Sequence, residues 1–414
     1  MRSGDVVWLT LGYYVSSALV LACGDHGSPQ RQREWTQDEI DALEEKWGVD
    51  WGFTGISTFA HLNHVKCLTT PTELFDIAII GAPFDTGVSY RPGARFGPRA
   101  IRAASARQTS FRGFNPRAGI NPYRSWARIL DCGDIPVTPM DNAVALRQMT
   151  AAFEELGTRD PASPAPAYSQ QRPRLVTLGG DHSLALPALR ALRRIHGRPL
   201  RVLHFDAHLD TWHPAKYPSA WASEQARFNH GSVFWLAGEE GLLANNASRP
   251  SVHAGLRTRL SGDDFGDYED DSAQGWVRIA ADDVDDLGGP TDVAARIMDA
   301  LGGADNDDPV YLSVDIDVLD PAFAPGTGTP EPGGWTTREL IRVLRAVEGL
   351  NLVGADVVEV APAYDGGGGE ATALAAAQVV FEILSSMVKR GLVDMGGTRT
   401  REEDDEERRI KDEL

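Results

Sequence analysis

The sequence predicts an α/β protein of three layers, in which helices cover both faces of a mainly parallel sheet of roughly eight strands. Two observations support this fold class. Apolar runs of strand length alternate along the chain with longer stretches of helical period, as in βαβ units. Hydrophobic residues make up 42% and charged residues 24% of the 414 residues, which suits a core-forming protein and excludes a fibrous or wholly disordered chain.

The two periodicities place each element. Strands are predicted at residues 75–81, 128–130, 175–178, 201–205, 252–256, 277–280, 310–314 and 353–360. Helices are predicted at residues 141–156, 183–196, 291–301, 337–347 and 371–390. Because βαβ crossovers are right-handed, the loops that follow the strands gather at the carboxyl edge of the sheet, where such proteins keep their binding sites.

The two ends of the chain predict a cellular address. An uncharged run at residues 6–24 resembles a secretory signal peptide, and the terminal Lys411 to Leu414 spell the retrieval signal of the endoplasmic reticulum. We expect the lumen of that compartment, with secretion as the alternative and a membrane anchor if the N-terminal run is not cleaved. The predicted organisation is a signal peptide at 1–24, an arm at 25–70, the α/β domain at 71–394 and a charged tail at 395–414.

Smaller features depend on that address. Cys67 and Cys132 could pair in an oxidising compartment, but two scattered cysteines are not a disulfide scaffold, and we expect buried free thiols. Asn246 begins a glycosylation sequon that has meaning only in the lumen. Stretches rich in Pro, Gly or acid predict surface loops at residues 159–174, 261–275 and 366–370.

The net charge of the chain indicates which class of molecule it can bind. The formal charge is −19, which argues against nucleic acid, since Lys and Arg would have to neutralise phosphates. A negative field instead attracts small cationic molecules.

Charged side chains follow three predicted strands at the point where each strand ends. In chain order they are His182, Asp206, His208, Asp210, Asp315 and Asp317. Burying several like charges together requires strong compensation, and a pair of metal ions supplies it. Carboxylates with imidazole and no thiolate suit Mn²⁺, with Fe²⁺, Zn²⁺ or Co²⁺ as alternatives. Two such ions can share a hydroxide, so the motif predicts hydrolysis.

Three segments that carry these residues, 178–191, 202–210 and 313–334, resemble the signature segments of the ureohydrolases, the arginase and agmatinase family. Similarity extends to residues 81–102 and 355–365. The resemblance implies an arginase-like fold, a catalytic role for the domain at 71–394, two Mn²⁺ per subunit and a homo-oligomer, trimeric or hexameric.

The resemblance also implies a role for each site residue. One ion is expected on His182, Asp206, Asp210 and Asp315, and the other on Asp206, His208, Asp315 and Asp317. His230 in "FNHGSVF" is expected to move protons and Glu359 in "VVEV" to hold the guanidinium; with Asp210 they form the predicted catalytic set. His204 is expected to point away from Asp206 and to be a core histidine.

The implied reaction is hydrolysis of a linear amidine by attack of the bridging hydroxide on the guanidinium carbon. Agmatine, cleaved to putrescine and urea in polyamine biosynthesis, is the first candidate substrate. Trp212 stands where arginases resemble one another in offering Asn, and an indole cannot cradle a carboxylate, which argues against arginine. Guanidinobutyrate and guanidinopropionate stay open as alternatives, and so does a catalytically silent relative that only binds.

Overall fold

One parallel sheet organises the domain. In the part of the chain described by the computed structural model, its strands are β1 (Ile77–Ala82), β2 (Ile129–Asp134), β3 (Arg174–Gly179), β4 (Arg201–Phe205), β5 (Ser251–Leu256), β6 (Trp276–Ala280), β7 (Val310–Asp315) and β8 (Leu352–Val358). They lie in the order β2-β1-β3-β8-β7-β4-β5-β6, and each neighbouring pair is parallel. The predicted sheet is confirmed.

The helices follow the strands as the alternation predicts. They are α1 (Gly97–Ala104), α2 (Asn142–Gly157), α3 (Ala185–His196), α4 (Val233–Glu239), α5 (Gly266–Ala273), α6 (Asp283–Asp286), α7 (Pro290–Ala300), α8 (Thr337–Ala346) and α9 (Ala371–Asp394). The five predicted helices correspond to α2, α3, α7, α8 and α9. Local chemistry fixes their ends, as in α8, where Thr336 and Glu339 form a capping box.

Strand alternation divides the core between two helical layers. On β1, Ile77 and Ile79 face the cluster shared with α1, α7, α8 and α9, whereas Ala78 and Ile80 face the cluster shared with α2, α3 and α4. Strands buried on both faces carry continuous apolar runs, so they can be recognised from the sequence. The predicted three-layer arrangement is confirmed.

The described residues are 36–39, 41–42, 54, 56–163, 172–216, 227–246, 248–304, 306–366 and 370–394. Residues 1–49 separate from the rest as a unit of their own, in which residues 37–39 and 41–42 are helical. The predicted signal peptide and charged tail lie outside the described residues, as do residues 164–171 of the predicted loop at 159–174 and residues 367–369 of the loop at 366–370.

Helix α9 is long and apolar enough to cross a membrane by composition alone. Its apolar window is 78% buried against the sheet and the neighbouring helices, as in the core helix of a globular domain. Its length therefore reflects the core that it covers.

Two expectations are corrected. Cys67 and Cys132 form a disulfide, not free thiols. The segment around His64 pairs with Asp131 of β2, which brings the two cysteine Cα atoms to 5.0 Å across 65 residues of sequence, a proximity that spacing alone does not reveal. The acidic stretch 261–275 is also not merely a loop: it contains α5, whose Asp267 and Asp271 are buried.

Candidate metal centre

Four adjacent central strands deliver the predicted site residues. His182 follows β3, Glu359 follows β8, Asp315 ends β7 and Asp206 follows β4, and these strands are neighbours in the order β3-β8-β7-β4. Since parallel strands end at the same edge, the side chains meet there. Each of these four residues is at most 3% exposed.

His182 lies at the centre of the first group. Its Nδ1 is 3.0 Å from Asp210 Oδ2, 3.2 Å from Asp206 Oδ2 and 3.5 Å from Asp315 Oδ2. Within the described part of the chain this buried Nδ1 has no hydrogen-bond partner of acceptable geometry. Three carboxylates therefore surround one imidazole nitrogen.

The tautomer of His182 explains that arrangement. Ser313 donates its hydroxyl proton to Asp356 Oδ1 at 2.8 Å, so Ser313 Oγ accepts from His182 Nε2 at 2.7 Å. Tyr311 also donates to Asp356, at 2.5 Å. With its proton on Nε2, His182 turns the Nδ1 lone pair towards the carboxylates, and only a cation satisfies all four groups.

The second group is centred on His208. Its Nδ1 is 3.1 Å from Asp206 Oδ1 and 3.1 Å from Asp317 Oδ2. Asp206 thus offers one oxygen to each group, as a bridging ligand would. The ligand atoms of His182, His204, Asp206 and Asp210 lie within 4.8 Å of one another, and so do those of Asp206, His208 and Asp317.

The pKa values of three site carboxylates show how unfavourable their negative charges are in this environment. Burial, and then the charge of Asp206, raise the pKa of Asp317 to about 6 and raise that of Asp210. Burial, followed by the charges of Asp317 and Asp206, raises the pKa of Asp315 well above its ordinary value. Like charges in a poorly solvated site stay ionised only beside cations, so the residues present fit a pair of divalent metal ions.

His230 lies between Glu359 and Ser89, which is in the loop that follows strand β1. Its Nδ1 lies 3.1 Å from Glu359 Oε1, while Nε2 accepts the Ser89 backbone N–H at 3.0 Å and lies 2.7 Å from Ser89 Oγ. Burial disfavours a charge on His230, but the bond to Glu359 and the charges of Glu359, Asp210 and Asp181 outweigh it and raise the pKa to about 9. His230 therefore has a polar partner at each of its ring nitrogens.

The two carboxylate oxygens of Glu359 differ in their hydrogen bonding. Oε1 accepts the His182 backbone N–H at 2.9 Å, whereas the buried Oε2 has no hydrogen-bond partner among the described residues. A Cβ on Gly328 would lie 3.3 Å from Oε2, so glycine keeps that approach clear. Glu359 and Asp210 also adopt left-handed backbone conformations, with φ of 60° and 54°, a strain typical of functional sites.

The predicted orientation of His204 is wrong, although the residue is buried as expected. Residues 204 and 206 are two apart on an extended chain and so face the same side. His204 Nε2 lies 2.9 Å from Asp206 Oδ2, and Nδ1 lies 2.7 Å from His253 Nδ1. Burial lowers the pKa of His204 to about 3, so a single proton on Nε2 points at Asp206.

His253 continues this contact outwards. Since His204 Nδ1 accepts, His253 Nδ1 must donate, and its Nε2 faces Asp271 Oδ1 at 3.1 Å. The His253 ring stacks on that of Trp276, with the two centroids 3.9 Å apart. Asp271 also accepts from Thr211 and Arg278, at 2.8 Å each. A metal-facing carboxylate is thus supported through to helix α5.

Helix α5 also holds Trp212. The indole Nε1 donates to Asp267 Oδ2 at 2.9 Å, and the ring centroid is 6.5 Å from that of His208. Asp267 additionally accepts the Ser261 backbone N–H at 2.6 Å. The acidic segment 261–275, which was expected to be a surface loop, therefore positions the Trp212 ring beside the group centred on His208.

The structure brings all eight predicted site residues to one edge of the sheet, and their individual roles stay predictions. Sequence reasoning missed the supporting residues Ser313, Asp356 and His253. These lie inside apolar strands, and the signal was present, because polar side chains in otherwise buried strands require partners. Asp271 was missed because its neighbours are acidic and exposed.

The fold and the site together define a three-layer α/β protein with a candidate binuclear metal centre. The sequence pattern of the arginase family matches residues 75–385. The chain is 49% identical over 350 residues to "Putative agmatinase 1" of Schizosaccharomyces pombe, covering 82% of this chain and 84% of that protein. It is 37% identical over 320 residues to the mitochondrial guanidino acid hydrolase of Homo sapiens, covering 77% and 80%.

A solved structure agrees with these sequence relatives. Proclavaminate amidino hydrolase from Streptomyces clavuligerus superposes with a TM-score of 0.68 at 35% identity, covering 82% of this chain and all of that one. The chain therefore belongs to the arginase family, and it is a ureohydrolase.

Asp206→Asn is expected to deplete both metal ions and to abolish turnover, because one carboxylate faces both groups. Metal content by plasma mass spectrometry and urea release measure the two effects. Asp299→Asn, an exposed change on α7, is the control. Full metal content and activity in Asp206→Asn would refute the site.

Asp271→Asn is expected to weaken metal binding by roughly tenfold, since losing an outer hydrogen-bond partner of a ligand costs about 10- to 100-fold. Competition with a metal-sensitive dye measures the affinity. Asp270→Asn, the exposed neighbour on α5, should behave as wild type. Equal affinities in the two variants would show that the chain of contacts does not reach Asp206.

Proposed function

We propose that this ureohydrolase cleaves agmatine to urea and putrescine with two Mn²⁺ ions. The observation that supports it best is the buried Glu359 Oε2, which has no hydrogen-bond partner among the described residues and lies beside the metal-facing His182. A buried carboxylate oxygen kept open by a glycine suits a planar cation that can donate two hydrogen bonds.

The residues would divide the work as follows. Glu359 would hold the guanidinium with its carbon turned towards the two groups of carboxylates. When bound there, divalent ions would make a water molecule acidic enough to attack at neutral pH and would stabilise the negative charge that develops. The closed surroundings exclude bulk water, which strengthens each of these interactions.

Proton movement falls to His230. The departing amine needs a proton, and the imidazolium held between Glu359 and Ser89 can supply it. Ser89 Oγ, 2.7 Å from Nε2, gives that nitrogen a polar contact on the side away from Glu359. The pKa, raised to about 9, favours a second proton on His230; that proton would lie on Nε2 and point at Ser89 Oγ, replacing the hydrogen bond that Nε2 accepts from the Ser89 N–H.

Agmatine is favoured over arginine by the wall at Trp212. The only N–H of the indole already donates to Asp267, so it cannot bind an α-carboxylate. The net charge of −19 attracts a dication, and one relative is named an agmatinase.

A guanidino acid is the second candidate, and Arg91 favours it. Its guanidinium lies between the rings of Tyr90 and Tyr364, 5.2 Å from each centroid, and it forms no ion pair with any described carboxylate. Its backbone oxygen would be 2.9 Å from a Cβ on Gly328, so it belongs to the rim near Glu359. A free cation there could bind a distal carboxylate, and one relative is named a guanidino acid hydrolase.

Urea release from agmatine, arginine, guanidinobutyrate and guanidinopropionate, with and without Mn²⁺, tests the proposal. We expect agmatine to show the highest kcat/KM, and activity to require Mn²⁺. Glu359→Gln should lower kcat/KM by roughly 10- to 100-fold, because a hydrogen bond to a charged group is worth about 1.5–3 kcal/mol.

Arg91→Gln serves to separate the two candidates. It should leave agmatine turnover unchanged or improved, and it should selectively weaken guanidinobutyrate turnover. If guanidinobutyrate is preferred and that preference disappears in Arg91→Gln, the second candidate replaces the first. Release of no urea from any of the four would indicate a silent relative.

We also propose that the chain resides in the lumen of the endoplasmic reticulum. The disulfide supports this, since disulfides persist in oxidising compartments. Asn246 is exposed, so the acceptor asparagine is accessible. In eukaryotic cells, removal of N-linked glycans should lower the apparent mass, and Asn246→Gln should eliminate that change. Recovery of unmodified enzyme from the cytosol would refute the proposal.

A further inference from the structure

A cavity of about 400 Å³ lies at the amino ends of the strands, at the opposite end of the sheet from the metal centre. Arg174 begins β3, Pro309 precedes β7 and Val353 lies at the start of β8, while His196 ends α3 and closes one side. This volume is within the range of pockets that bind metabolites. The proposed reaction makes no use of it.

The carboxylates of the cavity are already committed. Arg390 donates to Asp307 Oδ1 at 2.5 Å and to Asp394 Oδ1 at 2.9 Å. Asp76 accepts from both the backbone N–H and the hydroxyl of Ser163, at 2.9 and 2.8 Å. The acidic residues of this cavity therefore have little capacity to neutralise its other bases.

The remaining arginines contact only backbone carbonyls within the cavity. Arg174 donates from Nη1 to the Met387 carbonyl at 2.9 Å, and its Nε and Nη2 form no hydrogen bond with described residues. Arg198 donates from Nη2 to the Asp307 carbonyl at 3.2 Å, and its Nη1 forms an ion pair at 3.5 Å with Asp308, which does not line the cavity. Two guanidinium groups thus retain free donors.

Burial weakens the solvation of the basic groups of this cavity. Burial lowers the pKa of Arg174 to about 10, with Asp394 opposing the shift and Arg390 adding to it. Burial, followed by the charges of Arg198 and Arg174, lowers the pKa of His196 to about 4, so that ring is neutral at pH 7. An anion would compensate both arginines and accept their free N–H groups.

We propose that this cavity is a binding site for a small organic anion whose carboxylate or phosphate group pairs with Arg174 and Arg198. Guanidinium groups bind such oxygens through two parallel hydrogen bonds. Trp126, Pro309 and Val353 give the cavity an apolar side for the carbon framework of the ligand. The site is independent of the substrate pocket, since the length of the sheet separates them.

Isothermal titration of the full chain with succinate and with glucose 6-phosphate tests the site and distinguishes carboxylate from phosphate. We expect at least one of them to bind, glucose not to bind, and the affinity to fall as NaCl is added. Arg198→Gln and Arg174→Met should each weaken binding by tenfold or more. Arg194→Gln is the matched control, because Arg194 lies on α3, is 73% exposed and pairs with Glu154 outside the cavity.

Absence of binding by both anions would overturn the proposal. Binding that is equally strong in Arg198→Gln and Arg194→Gln would also overturn it, because the anion would then occupy another place, such as the metal centre. Arg198 is exposed, so Arg198→Gln decides the matter even if Arg174→Met does not fold.

Discussion

The packing of several carboxylates into one dry edge of the sheet is the constraint on which the rest of this structure depends. Two like charges at 4 Å repel by about 4 kcal/mol even at an effective dielectric constant of 20. Asp206, Asp210, Asp315 and Asp317 are each at most 5% exposed, so repulsion among them would exceed the usual stability of a domain without cations. Protons or metal ions must therefore accompany this fold, and the Nδ1 lone pair of His182 favours metal ions.

The supporting hydrogen bonds show how the polypeptide prepares for those ions. His182 is fixed by Ser313 and Asp356 on the neighbouring strands β7 and β8. Asp206 is fixed through two histidines by Asp271 of α5. Ligands whose rotamers are already set lose little freedom on binding, so the metal affinity depends on residues that never touch a metal.

The sequence predicted the sheet, the main helices and the site because buried parallel strands are apolar throughout and their ends carry the chemistry. It did not predict contacts that join distant segments. The pairing of Cys67 with Cys132 joins residues that are 65 positions apart, and the use of Asp271 by His253 joins strand β5 to the acidic helix that follows it. Strand alternation places His204 on the same side of β4 as Asp206, because the two residues are two positions apart. The predicted opposite orientation misapplied this two-residue period.

In the proposed function, different parts of the molecule control the two ends of the substrate. Glu359, which directly follows strand β8, would recognise the guanidinium. The far end would meet Trp212 and Arg91, which come from segments after β4 and β1 and are held by α5 and by Tyr364. Such segments tolerate change far better than strands do, whereas the buried charges at the strand ends cannot change without losing the ions. A single reaction can therefore serve several guanidino substrates, and identifying this chain's substrate is a question about its rim rather than its metal centre.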